Sequence, residues 1–340
     1  MVKVDINNGK RVLEVNEGEK LVDVLSAQGI YLPSACGSKG NCGLCKIKVI
    51  APQIPFTESE FQRITEEERN NAFHLSCQIS LQNDICIEIP EEYLTSQEYS
   101  AKLTSKRYLT SDIVELTLEL ISPATISFNP GQYILIKVPP HEGRKTFMRP
   151  FSIASSSADT SFIELNIRRN PEGICSSWIF DELKEGEVVN FIGPKGKFYM
   201  RNTERPMLFI AGGSGMAPVR SILKTMNHFK INRKAIYLFG ALAHKDLFYL
   251  DEMEKLEKEM SDFKFIPALS NEPEGSAWQG ERGLIPEVAE RYLTGDVSEY
   301  EAYLCGKPAM IQSCVSILTT KNIPAERTYF DLFNVAKAPK

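Results

Sequence analysis

Three cysteines fall within ten residues, Cys36-Gly-Ser-Lys-Gly-Asn-Cys42-Gly-Leu-Cys45, and a fourth, Cys77, follows thirty-two residues later in the run LSCQ. Three thiols in one short loop require the backbone to curl around whatever they hold. Thiolate sulfur suits ferric iron, and a [2Fe–2S] cluster takes four such ligands. Gly37, Gly40 and Gly43 permit the positive φ angles of a wrapping loop, whose inward N–H groups would offset the charge that reduction adds. Two other readings compete. Zinc also takes four cysteines, but its sites usually come as two C-x₂-C knuckles, and one is present here. Disulfides are disfavoured in a chain whose polar opening, MVKVDINNGK, has no secretory h-region.

Five of the eight cysteines lie in the first 90 residues. Charge is partitioned the same way. Residues 1–92 carry nine basic and fourteen acidic side chains, while the remaining 248 carry thirty of each, so the whole net charge of −5 sits on the cysteine-rich segment. A separate N-terminal unit is expected. An acidic chain of this kind is a poor general nucleic-acid binder. No apolar stretch reaches the ~20 residues of a membrane span, and a cytoplasmic protein is expected.

The opening segment reads as a hairpin, VKVDI and VLEV alternating at period two about Asn7-Asn8-Gly9-Lys10. A short helix, LVDVLSAQG, stops at Gly29; KIKVI and ICIEI read as strands and TEEER as an exposed helix. Residues 90–99 read as a linker. From 100 to 200 the pattern is mostly strands, DIVELTLEL, QYILIKV, FSIAS, SFIELNIRR and EVVNFIG, with one helical interruption, SSWIFDEL, which suggests a small antiparallel barrel. From about 205 strands alternate with ten-to-fifteen-residue helices, the rhythm of a doubly wound parallel sheet.

Three further motifs follow in order. Arg149-Pro150-Phe151-Ser152 comes after Pro130-Gly131-Gln132-Tyr133, and Gly173-Ile-Cys175-Ser176 precedes the helical interruption. Strand MLFIAG runs into Gly212-Gly213-Ser-Gly215-Met216-Ala217-Pro218 and a helix, the turn that lets a pyrophosphate approach a helix N-terminus. Ninety residues on, another strand ends in Cys305-Gly306-Lys-Pro308, and the tail carries Asp331-Leu-Phe333.

Taken together, these motifs resemble the ferredoxin–NADP reductase superfamily, with an N-terminal domain resembling plant-type ferredoxins. The five residues between Cys36 and Cys42 exceed the plant-type spacing of four; the phrase LPSACGSKGNCGLCKIKV resembles the F subunits of the Na⁺-translocating NADH:quinone reductases, which share the longer loop. The resemblance implies a β-grasp ferredoxin domain (1–92), an antiparallel β-barrel flavin domain (98–201) and a doubly wound parallel-sheet nicotinamide domain (202–340). It implies Cys36, Cys42, Cys45 and Cys77 as iron ligands. Arg149 would bind the flavin phosphate by charge-assisted bonds, with Gly173, Cys175 and Ser176 at the second phosphate motif. Pro150 belongs to the first motif, Phe151 would stack on the isoalloxazine where the family usually has tyrosine, and Ser152 would lie near flavin N5. Gly212, Gly213, Gly215, Met216, Ala217 and Pro218 would cradle the coenzyme, Cys305 and Gly306 would meet its nicotinamide, and Phe333 would gate the flavin face. A buried strand-end cysteine and a core phenylalanine are the competing readings of Cys305 and Phe333.

Cys86 and Cys314 read as structural thiols, and His244 as a solvated loop residue. FAD is favoured over FMN by the resemblance to those F subunits. NADH is favoured over NADPH because no arginine follows strand AIYLFGA until Arg282. The F subunits have an N-terminal membrane helix and a long insertion before their arginine motif, both missing here. A free-standing reductase is therefore expected, delivering electrons to an acceptor protein with a basic docking face. A membrane-associated quinone reductase, a non-catalytic electron-transfer or assembly subunit, and a reductase running in reverse to make NADH are the alternatives.

Overall fold

A computed structural model describes residues 1–33, 36, 38–94, 97–140 and 146–333. Contacts group the described residues into two compact units, one of 1–98 with 135–150, the other of 99–134 with 151–333. Residues 334–340, expected to fray, lie outside the described residues, as does Gly37.

The chain opens with the expected hairpin, β1 (Val2–Ile6) and β2 (Arg11–Val15), paired antiparallel from Val2↔Val15 to Ile6↔Arg11. Asn7, Asn8 and Gly9 all take positive φ in its turn. Val2, Val4 and Ile6 are buried, as period two requires, and α1 (Leu21–Ala27) adds Leu21, Val22, Val24 and Leu25 to the same core. Then come β3 (Lys46–Ala51), α2 (Glu58–Arg63), α3 (Glu66–Asn70), β4 (Phe73–Leu75) and β5 (Ile85–Glu88). The sheet order is β2-β1-β5-β3-β4, β5 parallel to β1 and antiparallel to β3.

Both α2 and α3 begin with a capping box, Thr57 with Glu60 and Thr65 with Glu68. Glu60 also has a longer reach. Its carboxylate is buried and accepts from the Thr57 amide (2.8 Å), the Leu75 amide (2.8 Å) and His74 Nδ1 (3.1 Å), with Phe56 stacked on the imidazole. One side chain thereby ties α2 to the strand leading into Cys77.

The segment expected to be a linker is instead a short helix, α4 (Glu91–Leu94), and the start of a twelve-residue strand, β6 (Gln97–Tyr108). The strands β7 (Ile113–Ser122), β8 (Tyr133–Val138), β9 (Phe147–Ser152) and β10 (Phe162–Arg168) follow. After them come the four-residue helix α5 (Ile174–Ser177), continued by a π turn over Trp178–Glu182, and then β11 (Val188–Lys195). Their order is β10-β7-β6-β11-β8-β9, with β6/β7 and β7/β10 antiparallel. An antiparallel bridge between Ile153, next after β9, and Leu165 on β10 brings the two sheet ends together as a barrel.

The last part alternates β12 (Met207–Gly212), α6 (Met216–His228), β13 (Ala235–Ala241), α7 (Leu250–Glu259), β14 (Phe263–Leu269), β15 (Glu281–Arg282), α8 (Ile285–Tyr292), β16 (Glu301–Gly306), α9 (Pro308–Thr320) and β17 (Thr328–Leu332). All neighbours in the sheet β15-β14-β13-β12-β16-β17 are parallel. Chain order reverses between β12 and β16, and ligands of such sheets bind beyond the strand ends at this switch point.

Glu60 makes the stability of the cysteine-bearing sheet pH-dependent. Burial alone would raise its pKa, but the bonds from His74, Thr57 and Leu75 outweigh it and hold the carboxyl below its usual 4.5. The stabilisation is thus complete above pH 4.5 and is lost as pH falls through the folded value. Glu60→Ala should cost about 3 kcal/mol by leaving the buried Leu75 amide and the half-buried Thr57 amide unpaired. Glu60→Gln should flatten the acid-side loss, and amide hydrogen exchange in β3 and β4 against pH measures both.

Candidate active site

The register of the first sheet builds the cysteine site. β3 and β4 pair with Lys46 opposite Leu75, so Cys45 and Ser76 come together, the Ser76 amide donating to the Cys45 carbonyl at 2.9 Å. Cys77 follows in a single turn over Ser76–Gln78. The four thiols form two pairs. Cys36 accepts a hydrogen bond from Cys42 that, against burial, pulls its pKa down to about 4, helped by the amides of Cys42, Asn41 and Lys39. Cys77 accepts from Cys45 and is pulled down to about 7, with Gln78 Nε2 at 3.4 Å and the Gly40 amide assisting. Cys45, the donor, is pushed up.

Gly40 and Gly43 have φ of +77° and +68°, as the loop required. None of the eight cysteines is in a disulfide. Among the described residues, no group of three or more His, Cys, Asp or Glu is placed to hold a single metal ion. Two sulfur pairs ringed by inward amides fit a cluster that shares its ligands between two irons, better than one zinc. Cys86 is half-buried on β5 and Cys314 fully buried on α9.

On β9, Arg149, Pro150 and Phe151 are half-buried and Ser152 is buried. Arg149 Nη1 donates to the Met148 carbonyl at 2.8 Å, and its guanidinium lies over the Phe147 ring. Gly173 caps α5; a Cβ there would meet Ser176 Oγ at 2.9 Å. Cys175 and Ser176 are buried, and the Ser176 hydroxyl bonds the Asn170 and Gly173 carbonyls, so it shapes the turn from within.

The switch point gathers the remaining residues. Gly212 ends β12, Gly213 (φ +57°) to Gly215 form one turn, and Met216 starts α6. A Cβ on Gly215 would run into the Cys305 carbonyl, and one on Gly306 (φ +149°) would lie 2.9 Å from Met310 Cε. Gly306 accepts from the Phe333 amide at 2.9 Å. Met216, Ala217 and Pro218 are buried, so this loop offers backbone to a ligand. Cys305 is wholly buried, and burial, then the charge of Asp331 beside it, pushes its thiol well up. Asp331 is itself pushed up to about 6 by desolvation. Phe333 is half-buried against the core cluster that holds Cys305 and Met216.

At the neighbouring strand ends, the Arg282 guanidinium is taken up by its own loop, donating to the carbonyls of Glu272 (3.0 Å) and Pro273 (3.3 Å) and to Ser276 Oγ (3.0 Å). Glu272 accepts from the amide of the exposed His244 at 2.8 Å. The sequence reading missed Met310 and the buried Arg220. The methionine could have been found from its fixed offset after Cys305-Gly306; the arginine has no local signal.

Three family descriptions match the chain in succession: a 2Fe-2S iron-sulfur cluster binding domain over residues 4–82, an oxidoreductase FAD-binding domain over 100–199 and an oxidoreductase NAD-binding domain over 209–316. Among solved structures, the chain resembles the Amycolatopsis cytochrome P450 reductase GcoB (TM-score 0.78, 24% identity, 100% of both chains covered) in fold. It also resembles the ferredoxin reductase in carbazole 1,9a-dioxygenase (TM-score 0.75, 26% identity, 98% of both). The F subunit of the Na(+)-translocating NADH-quinone reductase of Pseudoalteromonas atlantica is 31% identical, covering 98% of this chain and 91% of that protein. That of Pseudomonas aeruginosa is 32% identical, covering 96% and 89%. The chain is an oxidoreductase that takes a [2Fe–2S] cluster, FAD and NADH, and it belongs to the family of the F subunits of the Na(+)-translocating NADH-quinone reductases.

Proposed function

We propose that this protein is a reductase that passes electrons from NADH, through FAD and the cluster, to a one-electron acceptor protein. The observation that carries the reading is the succession of a 2Fe-2S, an FAD-binding and an NAD-binding segment in one chain, a one-electron site alongside a two-electron donor site. Bound FAD would supply the chemistry that links a two-electron donor to a one-electron cluster. The chain's residues position and tune. Cys36 and Cys42, with Cys45 and Cys77, would hold the irons, while the amides of Lys39, Gly40, Asn41 and Cys42 donate to the sulfurs.

Arg149, Pro150, Phe151, Ser152, Gly173, Cys175 and Ser176 would form the flavin site, and the loop Gly212–Pro218 with Cys305, Gly306 and Phe333 the coenzyme site. The domains would run 1–92, 98–201 and 202–340, a division supported by the three matched segments. Occupation of Arg282 by loop carbonyls, and a carboxylate at Glu272, favour NADH over a coenzyme carrying a 2′-phosphate.

The acceptor is proposed to dock by charge. Glu58, Glu66 and Glu67 are exposed on α2 and α3, in the segment that carries the net charge; Phe61 on α2 is 60% exposed, with the Arg69 guanidinium over its ring. Among the described residues no helix is long and apolar enough to cross a membrane. The named activity of the F-subunit relatives favours a second reading, a quinone reductase working with membrane partners. Reduction of a soluble quinone faster than of cytochrome c would favour that reading.

With NADH and cytochrome c as a basic probe acceptor, turnover should fall at least about tenfold between low and high salt. Salt-independent turnover would refute the docking proposal. Cys77→Ser should abolish cytochrome c reduction and the cluster's visible absorption while NADH still bleaches the flavin. Gly215→Ala, which forces the coenzyme loop off the Cys305 carbonyl, should raise the KM for NADH by roughly tenfold or more and leave the cluster spectrum unchanged.

A further inference from the structure

Arg220 lies on α6, one turn beyond the coenzyme loop, and is 4% exposed. Its guanidinium is bidentate to Glu252 on α7 (Nε–Oε1 2.7 Å, Nη2–Oε2 2.8 Å). Nη1 reaches back to the barrel, 2.6 Å from Glu164 on β10, 3.3 Å from the Ala154 carbonyl and 3.7 Å from Glu115 on β7. The Tyr249 ring lies 4.3 Å beneath it, and the Tyr249 hydroxyl donates to Glu115 and bonds Asn166. Lys224 pairs with Glu164 and Arg107 with Glu115, which gives three cations against three carboxylates. Tyr249 adopts a left-handed φ of +59°, a strained conformation for a non-glycine residue that is retained here at the head of α7.

Two more bonds run alongside. Ser221 Oγ donates to the Ser155 carbonyl at 2.7 Å, and the Ser157 amide donates to Thr225 Oγ1 at 3.0 Å. One face of α6 therefore grips residues 154–157, which continue directly from Ser152. The N-terminus of the same helix is the glycine turn over Gly213–Gly215. The helix joins residues 154–157 to the coenzyme loop, and its grip is a charge-balanced cluster centred on the buried Arg220 guanidinium.

We propose that Arg220 is a positioning residue of the reaction, holding the coenzyme loop at the distance from Phe151 and Ser152 that electron transfer from NADH to FAD requires. This rests on the reading that the flavin is reduced at the switch point. A shift of about 1 Å between reacting groups can cost about a hundredfold in rate, whereas the residues that touch the coenzyme are left in place. Loss of Arg220 should therefore act on rate far more than on affinity.

The test uses the full chain with both cofactors. Arg220→Met takes the cation from Glu252 and leaves Glu164 and Glu115 with one cation each, Lys224 and Arg107, which strains the fold. Tyr249→Phe keeps every charge pair and removes one hydroxyl, so it serves as the second variant; Arg220→Lys tests rescue by charge alone. In rapid mixing with NADH, the limiting rate of flavin bleaching should fall about tenfold or more in Arg220→Met and about threefold in Tyr249→Phe. The NADH concentration for half-maximal rate should stay within about threefold, and Arg220→Lys should recover part of the rate.

Hydrogen exchange without coenzyme should quicken over residues 152–157 and 212–218 and stay unchanged over residues 38–45. If Arg220→Met fails to fold, Tyr249→Phe decides. Wild-type rates and exchange in the folded variants would overturn the proposal, as would a loss of affinity in step with rate. A wild-type flavin that NADH does not reduce would instead remove the functional reading beneath it.

Discussion

At the end of β12, backbone packs on backbone. Gly215 stands so close to the Cys305 carbonyl that no side chain fits between them, and Gly306 lies in a conformation open to glycine, against Met310. Two strands distant in sequence and adjacent in the sheet can close this tightly only if both end in glycine. The consequence is an amide-lined turn at the point where chain order reverses, with the side chains of Met216, Ala217 and Pro218 withdrawn into the core. In the proposed function, a coenzyme would meet a surface of peptide groups there.

The cysteine site solves a similar problem with different means. A loop supplies three sulfurs, but the fourth arrives through strand pairing, since Lys46 opposite Leu75 sets Cys45 beside the turn of Cys77. Glu60 fixes that strand from the other side by taking the Leu75 amide and His74 together. Backbone amides directed at the Cys36 and Cys77 sulfurs would suit a charge that rises and falls by one electron. In both sites the protein contributes geometry and electrostatics, and the bound groups contribute reactivity.

Most of this was legible wherever the signal was local. Cysteine spacing, the glycine turn after MLFIAG and the alternation of strands and helices each occupy a few consecutive residues, and each led to the right element. The failures were of another kind. Residues 90–99 read as a linker because they are polar, yet Gln97 begins β6, whose burial comes from neighbours far along the chain. β15 is two residues long and takes its strand character from β14 alone, and the tail became β17 by lying beside β16. The helix α2 was missed although Thr57-x-x-Glu60 is a capping-box signal, the same one that marks α3. Arg220 was hidden more deeply. Its partners Glu115, Glu164 and Glu252 are spread over 138 residues of sequence, and nothing near it marks it as other than a helix-surface arginine.

The central claim is that one chain converts a two-electron donor into a one-electron source. Anaerobic titration with NADH, followed by visible absorption and by electron paramagnetic resonance, measures this most directly. Two electrons on the flavin and one on the cluster give an end point of about 1.5 equivalents of NADH. The expected result is that end point, with both absorptions bleached and one reduced-cluster spin per chain. An end point of about one equivalent, with the flavin bleached and no cluster spin, would contradict it.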